Sequence, residues 1–225
     1  VYATYGPDYL SADLESMFGE GASDDKISFA GRFPSEWLEL PGKKRLKAWH
    51  LVGGKDPIDP DDLSGEEPAD RYPVMLDEWI EYDNLSCLKV KMSGTDEVWD
   101  FDRLVRVGEL GLRTGVEWLS TDFNCTVTEP SYVNEILDRL RDDHPRIYGS
   151  ILYVEQPFPY DLEANQIDVH SVSSRKPLFM AESAHAWRLL RLGKSLGWTG
   201  VALDTCKTQT GPSPTRARAA ADHLP

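Results

Sequence analysis

The stretch Ile151-Leu152-Tyr153-Val154-Glu155-Gln156-Pro157 constrains this chain most: four residues suited to a buried β-strand run straight into a carboxylate, an amide and a proline. Proline has no N–H for a sheet ladder, so the strand must stop where the charge begins. Asp122 stands in the same position after Trp118-Leu119-Ser120-Thr121, and Glu182 after Leu178-Phe179-Met180-Ala181. The three acids are 33 and 27 residues apart, each interval being room for one strand, one helix and two loops. Successive parallel strands would carry all three carboxylates to one rim.

The remainder of the chain keeps that rhythm. Strand-like runs occupy 46–52, 87–91, 118–121, 151–155, 178–182 and 200–204, and helical periodicity marks 75–82, 98–113, the residues after Pro130, a weaker 161–172, and 185–196. Six strands with a helical stretch in every gap predict an α/β fold, an incomplete TIM-type barrel of about six β/α units whose site lies at the strands' carboxyl ends. An open doubly wound sheet competes, but no Gly-rich phosphate turn follows any strand. Residues 1–45 show no sustained period and are expected to form an irregular N-terminal segment, with the partial barrel over 46–211. The Pro-, Ala- and Arg-rich stretch 212–225 reads as an atypical tail, and the chain as truncated at both ends.

Composition narrows the partners. A formal net charge of −14 repels a nucleic-acid backbone or an anionic membrane. No run approaches the roughly 18 apolar residues of a membrane span, and the first residues lack the order of a signal peptide. Three cysteines without metal-like spacing favour a reducing, cytoplasmic setting.

Lys89 and Lys91 lie two apart on a strand and share one face, while Leu88 and Val90 share the other. Such a pair fits either an edge strand with solvated lysines or a site in which anions face them. The all-oxygen set Asp122, Glu155 and Glu182, without His or Cys at comparable places, suits a hard divalent cation, Mg²⁺ first.

The ordered set Lys89-x-Lys91, Asp122-x-Asn124, Glu155-Gln156-Pro157, Glu182-Ser183 and Lys207 resembles the enolase superfamily, in particular its muconate lactonising and mandelate racemase-like branches. The resemblance implies a modified barrel of seven β/α units and a final strand, with a capping domain of which residues 1–45 would be a remnant. It also implies a Mg²⁺-dependent abstraction of the proton α to a carboxylate through a stabilised enediolate, as in an acid-sugar dehydratase, a racemase or a lactonising enzyme. Carried over, Asp122, Glu155 and Glu182 would be metal ligands, and Lys91 and Lys207 bases on opposite faces of the substrate. Lys89 would be an electrostatic helper, with Asn124 and Gln156 contacting a small carboxylate substrate. A homo-oligomer is expected at full length. Two other readings stay open: a catalytically inactive relative that keeps the scaffold, and an aldolase-type barrel with a lysine Schiff base.

Overall fold

The computed structural model describes residues 8, 10–19, 28–37, 44–203 and 212–221. In chain order these form helix α1 (Leu14–Phe18), a 3-10 turn (Pro34–Trp37), strand β1 (His50–Val52), a 3-10 turn (Pro60–Asp62) and helix α2 (Leu76–Asp83). Strand β2 (Cys87–Lys91), helix α3 (Glu97–Thr114), strand β3 (Trp118–Asp122) and helices α4 (Pro130–Asp143) and α5 (Pro145–Ser150) follow. Strand β4 (Ile151–Glu155), helix α6 (His170–Ser173), strand β5 (Leu178–Met180), a 3-10 turn (Glu182–His185), helix α7 (Trp187–Leu196), strand β6 (Gly200–Val201) and helix α8 (Pro212–Ala221) complete the set. Each ladder seen among these strands is parallel. Parallel α/β architecture is therefore the outcome, as the alternation of strand and helix periods requires.

The chain divides into two compact units, one of residues 46–159 and 169–178 and the other of residues 1–45, 160–168 and 179–225. In the first, β1, β2, β3 and β4 pair side by side in sequence order. Helix α3 shows why the local sequence folds as it does. Asp96 caps its start by accepting the Trp99 N–H, and Gly115 ends it in the left-handed conformation at φ +87°. Its buried stripe includes Leu104, Val107, Gly108 and Gly111. In α4, proline opens the helix, and Val133, Ile136, Leu137 and Leu140 are buried.

Gly108 allows close helix packing, since a β-carbon built there would lie 2.5 Å from Ile147 Cγ2 of α5. Gly108→Ala is expected to overpack this contact and lower stability by about 1–3 kcal/mol, read as a shift in the urea unfolding midpoint.

In the second unit, Phe18, Phe29, Leu14 and Ala217 form a buried cluster against which Met17, Trp37 and Trp187 pack. The stretch 212–221, which composition sets apart, is helical here, with Ala217, Arg218 and Ala219 buried and the Arg218 guanidinium 5.7 Å from the Phe29 ring. β5 and β6 pair in register Phe179↔Gly200 and Met180↔Val201.

Several expectations need correction. Among the described residues the strands expected over 178–182 and 200–204 are ordered as β only at Leu178–Met180 and Gly200–Val201, so Glu182 falls in the 3-10 turn after β5 rather than at a strand end. The helix expected over 161–172 shrinks to α6, because Asp161 and Asn165 satisfy the backbone locally: Asp161 Oδ1 accepts the Ala164 N–H at 3.0 Å and the Asn165 amide donates to the Asp161 carbonyl at 2.9 Å. The strand expected over 46–52 is ordered as β only at His50–Val52, where β2 supplies ladder partners. No helix among the described residues is long and apolar enough to cross a membrane.

Candidate functional site

The site begins with the period of two in β2. Leu88 and Val90 are fully buried on one face, and Lys89 and Lys91 are half-buried on the other. Parallel register then aligns the neighbouring strands by level. Lys91 pairs with Asp122 and Asp122 with Glu155, while one step below Lys89 pairs with Ser120 and Ser120 with Tyr153. A bulge at the Leu119/Ser120 step of the β3–β4 ladder shifts the register there. That shift brings Asp122 and Glu155 to the same level.

The charged side chains meet directly. Lys89 Nζ donates to Glu155 Oε1 at 2.6 Å and lies 3.0 Å from Asp122 Oδ2. Lys91 Nζ donates to the same Asp122 oxygen at 2.5 Å and to Asn124 Oδ1 at 2.6 Å. The other Asp122 oxygen accepts the Asn124 N–H at 2.9 Å. Asp122 is 1% exposed and Glu155 4%, so two acids and two ammonium groups balance one another in a largely dry setting.

Electrostatics follow from that geometry. Burial alone would raise the Asp122 carboxyl, but the Lys91 hydrogen bond and the charge of Lys89 hold it below its ordinary value. Burial pulls Lys89 down, and the Glu155 bond with the Asp122 charge more than offsets this, lifting it above the usual lysine value. Burial first, then the charge of Glu155, raises the Tyr153 phenol, whose ring lies 5.8 Å from that of Trp49.

The stabilisation from a depressed carboxyl is in place above its unfolded pKa of about 3.9 and is lost as pH falls through the lower folded value; that from a raised lysine is in place below about 10.4 and is lost as pH rises through the higher folded value. The contribution of this pair to stability should therefore hold level between these limits. Lys89→Met should move acid unfolding, followed by circular dichroism, to higher pH.

Loop backbone locks the rim. Cys125 N–H donates to the Gln156 carbonyl and Val127 N–H to the Pro157 carbonyl, both at 2.9 Å, tying the exit of β3 to that of β4. Asn124, Cys125 and Gln156 all adopt positive φ, strain for non-glycine residues that this cross-tying sustains. Gly94, at φ +68°, allows the β2 exit to meet the Thr126 side chain. Gln156 is fully buried, with its side-chain amide donating to the Phe158 carbonyl at 3.0 Å.

Lys89, Lys91, Asp122, Asn124 and Glu155 are thus brought together within one unit. Glu182 opens a 3-10 turn in the other unit, where its carbonyl lies 2.9 Å from His185 Nδ1. Lys207 lies outside the described residues.

Sequence reasoning missed Asp100, a completely buried carboxylate on α3. It accepts the N–H groups of Ser93 and Gly94 at 2.6 and 2.8 Å and the Tyr132 hydroxyl at 2.7 Å, and so shapes the chain leaving Lys91. Its signal resembled an ordinary first-turn helix acid. Tyr153 was missed too, although its spacing of two from Glu155 puts it on the same strand face.

Asp122 and Glu155 offer only oxygen donors, buried and level on adjacent strands, and both already bond to cationic groups; that donor chemistry fits a hard divalent ion. Among the described residues no group of three or more His, Cys, Asp or Glu side chains is placed to hold a metal.

No family model and no curated protein matches the chain. Solved structures do. A mandelate racemase/muconate lactonizing protein from Herpetosiphon aurantiacus is similar at TM-score 0.54 and 21% identity over 66% of this chain and 40% of that one. The L-Ala-D/L-Glu epimerase from Bacillus subtilis aligns at TM-score 0.56 and 15% identity over 79% and 45%. An enolase from Bradyrhizobium, complexed with magnesium and mandelic acid, aligns at TM-score 0.51 and 19% identity over 65% and 38%. The chain spans less than half the length of each of these proteins. What these likenesses establish is the fold: the chain carries part of the α/β barrel of these solved structures.

Proposed function

We propose that this chain supplies the acid–lysine face of a Mg²⁺-assisted enzyme that removes the proton α to the carboxylate of a small substrate, such as an acid sugar. Racemisation, dehydration and lactonisation all begin with that step. The observation that carries the reading is the alignment of Lys91, Asp122 and Glu155 at one level of three adjacent strands, with lysine nitrogens bonded to both acids.

Asp122 and Glu155 would hold the ion. When bound, Mg²⁺ supplies positive charge for the negative charge that develops on the substrate carboxylate as the proton leaves. Lys91, aimed by Asp122 and Asn124, is the proposed base at its Nζ, and Lys207 a second proposed base. Lys89, held cationic by both acids, keeps their carboxylates ionised and oriented. Buried Gln156 shapes the β4 exit beside the proposed substrate position. Cytoplasmic residence and homo-oligomeric assembly belong to the same proposal.

The test is exchange of substrate α-protons in deuterated solvent with Mg²⁺, followed by proton NMR across acid sugars, 2-hydroxy acids and dipeptides. Exchange is expected for at least one class and should fall about 100-fold or more in Lys91→Met. No exchange in any class would contradict the proposal.

One observation favours a second reading, a catalytically silent scaffold: the two lysines and two acids compensate one another in charge. Calorimetric titration with Mg²⁺ giving no heat would support it. No observation favours the remaining reading, a Schiff base on Lys91 or Lys207: Lys91 Nζ is bonded to Asp122 and Asn124, and Lys207 lies outside the described residues.

A further inference from the structure

A second constellation in the same unit has no part in this chemistry. The loop before α2 and the helix itself present three aromatic rings. Tyr72 lies nearly parallel to Trp79, with planes 10° apart and centroids at 6.4 Å, and Tyr82 meets Trp79 edge-on at 85° and 6.0 Å. His50 of β1 contacts the same indole at 5.5 Å. Trp79 is therefore held between neighbours, whereas Tyr72 and Tyr82 are 60% and 61% exposed. Large aromatic surface left in water beside a fixed indole marks a place of contact.

The relief around these rings is furrowed. Two clefts share Tyr72 and Pro73: one of about 460 Å³ reaches Asp70 and Trp79, and one of about 540 Å³ reaches Glu81 and Tyr82. Both open widely to solvent, which suits an extended segment lying across the Tyr72 ridge better than an enclosed small molecule.

Charge selects the visitor. Asp70 and Glu78 are fixed by backbone donors, Asp70 by the Tyr72 N–H at 3.0 Å and Glu78 by the Val74 and Met75 N–H groups at 3.0 and 3.2 Å. Glu81 is exposed and forms no ion pair among the described residues. Among the described residues Arg71 is the one cation lining either cleft. An acidic rim around electron-rich ring faces repels phosphate and carboxylate ligands and attracts guanidinium or ammonium groups.

We propose that the Tyr72–Trp79–Tyr82 surface docks an extended, proline-containing segment of a partner protein that bears arginine or lysine. Proline rings fill the clefts on either side of Tyr72 in a polyproline conformation, and the cation sits against the aromatic faces near Glu78 and Glu81.

The experiment uses the full chain and a fluorescent nonapeptide of three Pro-Pro-Arg repeats, read by anisotropy at near-physiological salt. Two control peptides replace every proline by glycine or every arginine by glutamate. The Pro/Arg peptide should bind about tenfold or more tighter than either control, and Tyr72→Ala and Glu81→Gln should each weaken it by about threefold to tenfold. Both positions are exposed, and unchanged far-ultraviolet circular dichroism with an unchanged urea unfolding midpoint verifies that the variants fold. Equal binding of the Gly/Arg peptide with no effect of Tyr72→Ala would reduce the contact to general attraction by an acidic chain and overturn the proposal. So would absence of binding, or self-association of the chain that Tyr72→Ala abolishes, which would assign the surface to a second copy.

Discussion

Replacing Asp122 by alanine should lower stability by about 3 kcal/mol, because it deletes the acceptor that two ammonium groups share at the centre of a buried cluster. Lys91 would keep only Asn124, and Lys89 only Glu155, among the acceptors they now contact. Both lysines are partly exposed and can turn towards water, which keeps the loss at the lower end for a broken buried pair. The Asn124 N–H also loses its partner, at the residue whose positive φ that bond supports. Asp122→Asn retains an oxygen for Asn124 but not the charge, and should cost less. Urea unfolding of both variants measures the difference. Lys91→Met combined with Asp122→Ala should cost clearly less than the sum of the two single changes, since each removes the other's partner.

Asp100→Ala should be as damaging, again about 3 kcal/mol, with no change in the charge cluster itself. Its carboxylate satisfies two successive backbone N–H groups and a phenol, all within 2.8 Å, at a position with no solvent access. Alanine leaves the Ser93 and Gly94 amides without that acceptor and opens a small void. Tyr132→Phe removes only one of the three bonds and should cost about 1 kcal/mol. Burial and the facing Asp100 carboxylate push the Tyr132 phenol up, so it stays a donor across the working pH range. Amide exchange at Ser93 and Gly94 should accelerate selectively in Tyr132→Phe. Uniform acceleration across the unit would show that Tyr132 acts on global stability instead.

Much of the fold was readable because strand and helix periods differ. Leu88 and Val90 against Lys89 and Lys91 is a pattern only a strand satisfies, and β2 and β4 run over the same residues as the periodicity marks. Gly115 and Pro130 punctuate helices for reasons carried by their own backbones. Register was not readable. Spacing suggests that Asp122 and Glu155 share a rim, but only the shift between Leu119 and Ser120 sets them level. The stretch 161–172 misled because helix-compatible residues there include Asp161 and Asn165, which bond their own backbone. Asp100 was invisible because its partners, Ser93, Gly94 and Tyr132, come from a preceding loop and a later helix. That the Gln156 amide bonds to a carbonyl two residues on was not readable from sequence. Of the sites inferred from resemblance, Lys207 lies beyond the described residues and Glu182 in the other unit.

Whether Asp122 and Glu155 together grip a divalent ion can be read by titrating the full chain with Mn²⁺ and following the free-ion signal by electron paramagnetic resonance. One site displaceable by Mg²⁺ is expected, lost in Asp122→Asn and in Glu155→Gln alike. Binding that survives both substitutions, or no binding by the unaltered chain, would contradict a cation site at the exits of β3 and β4.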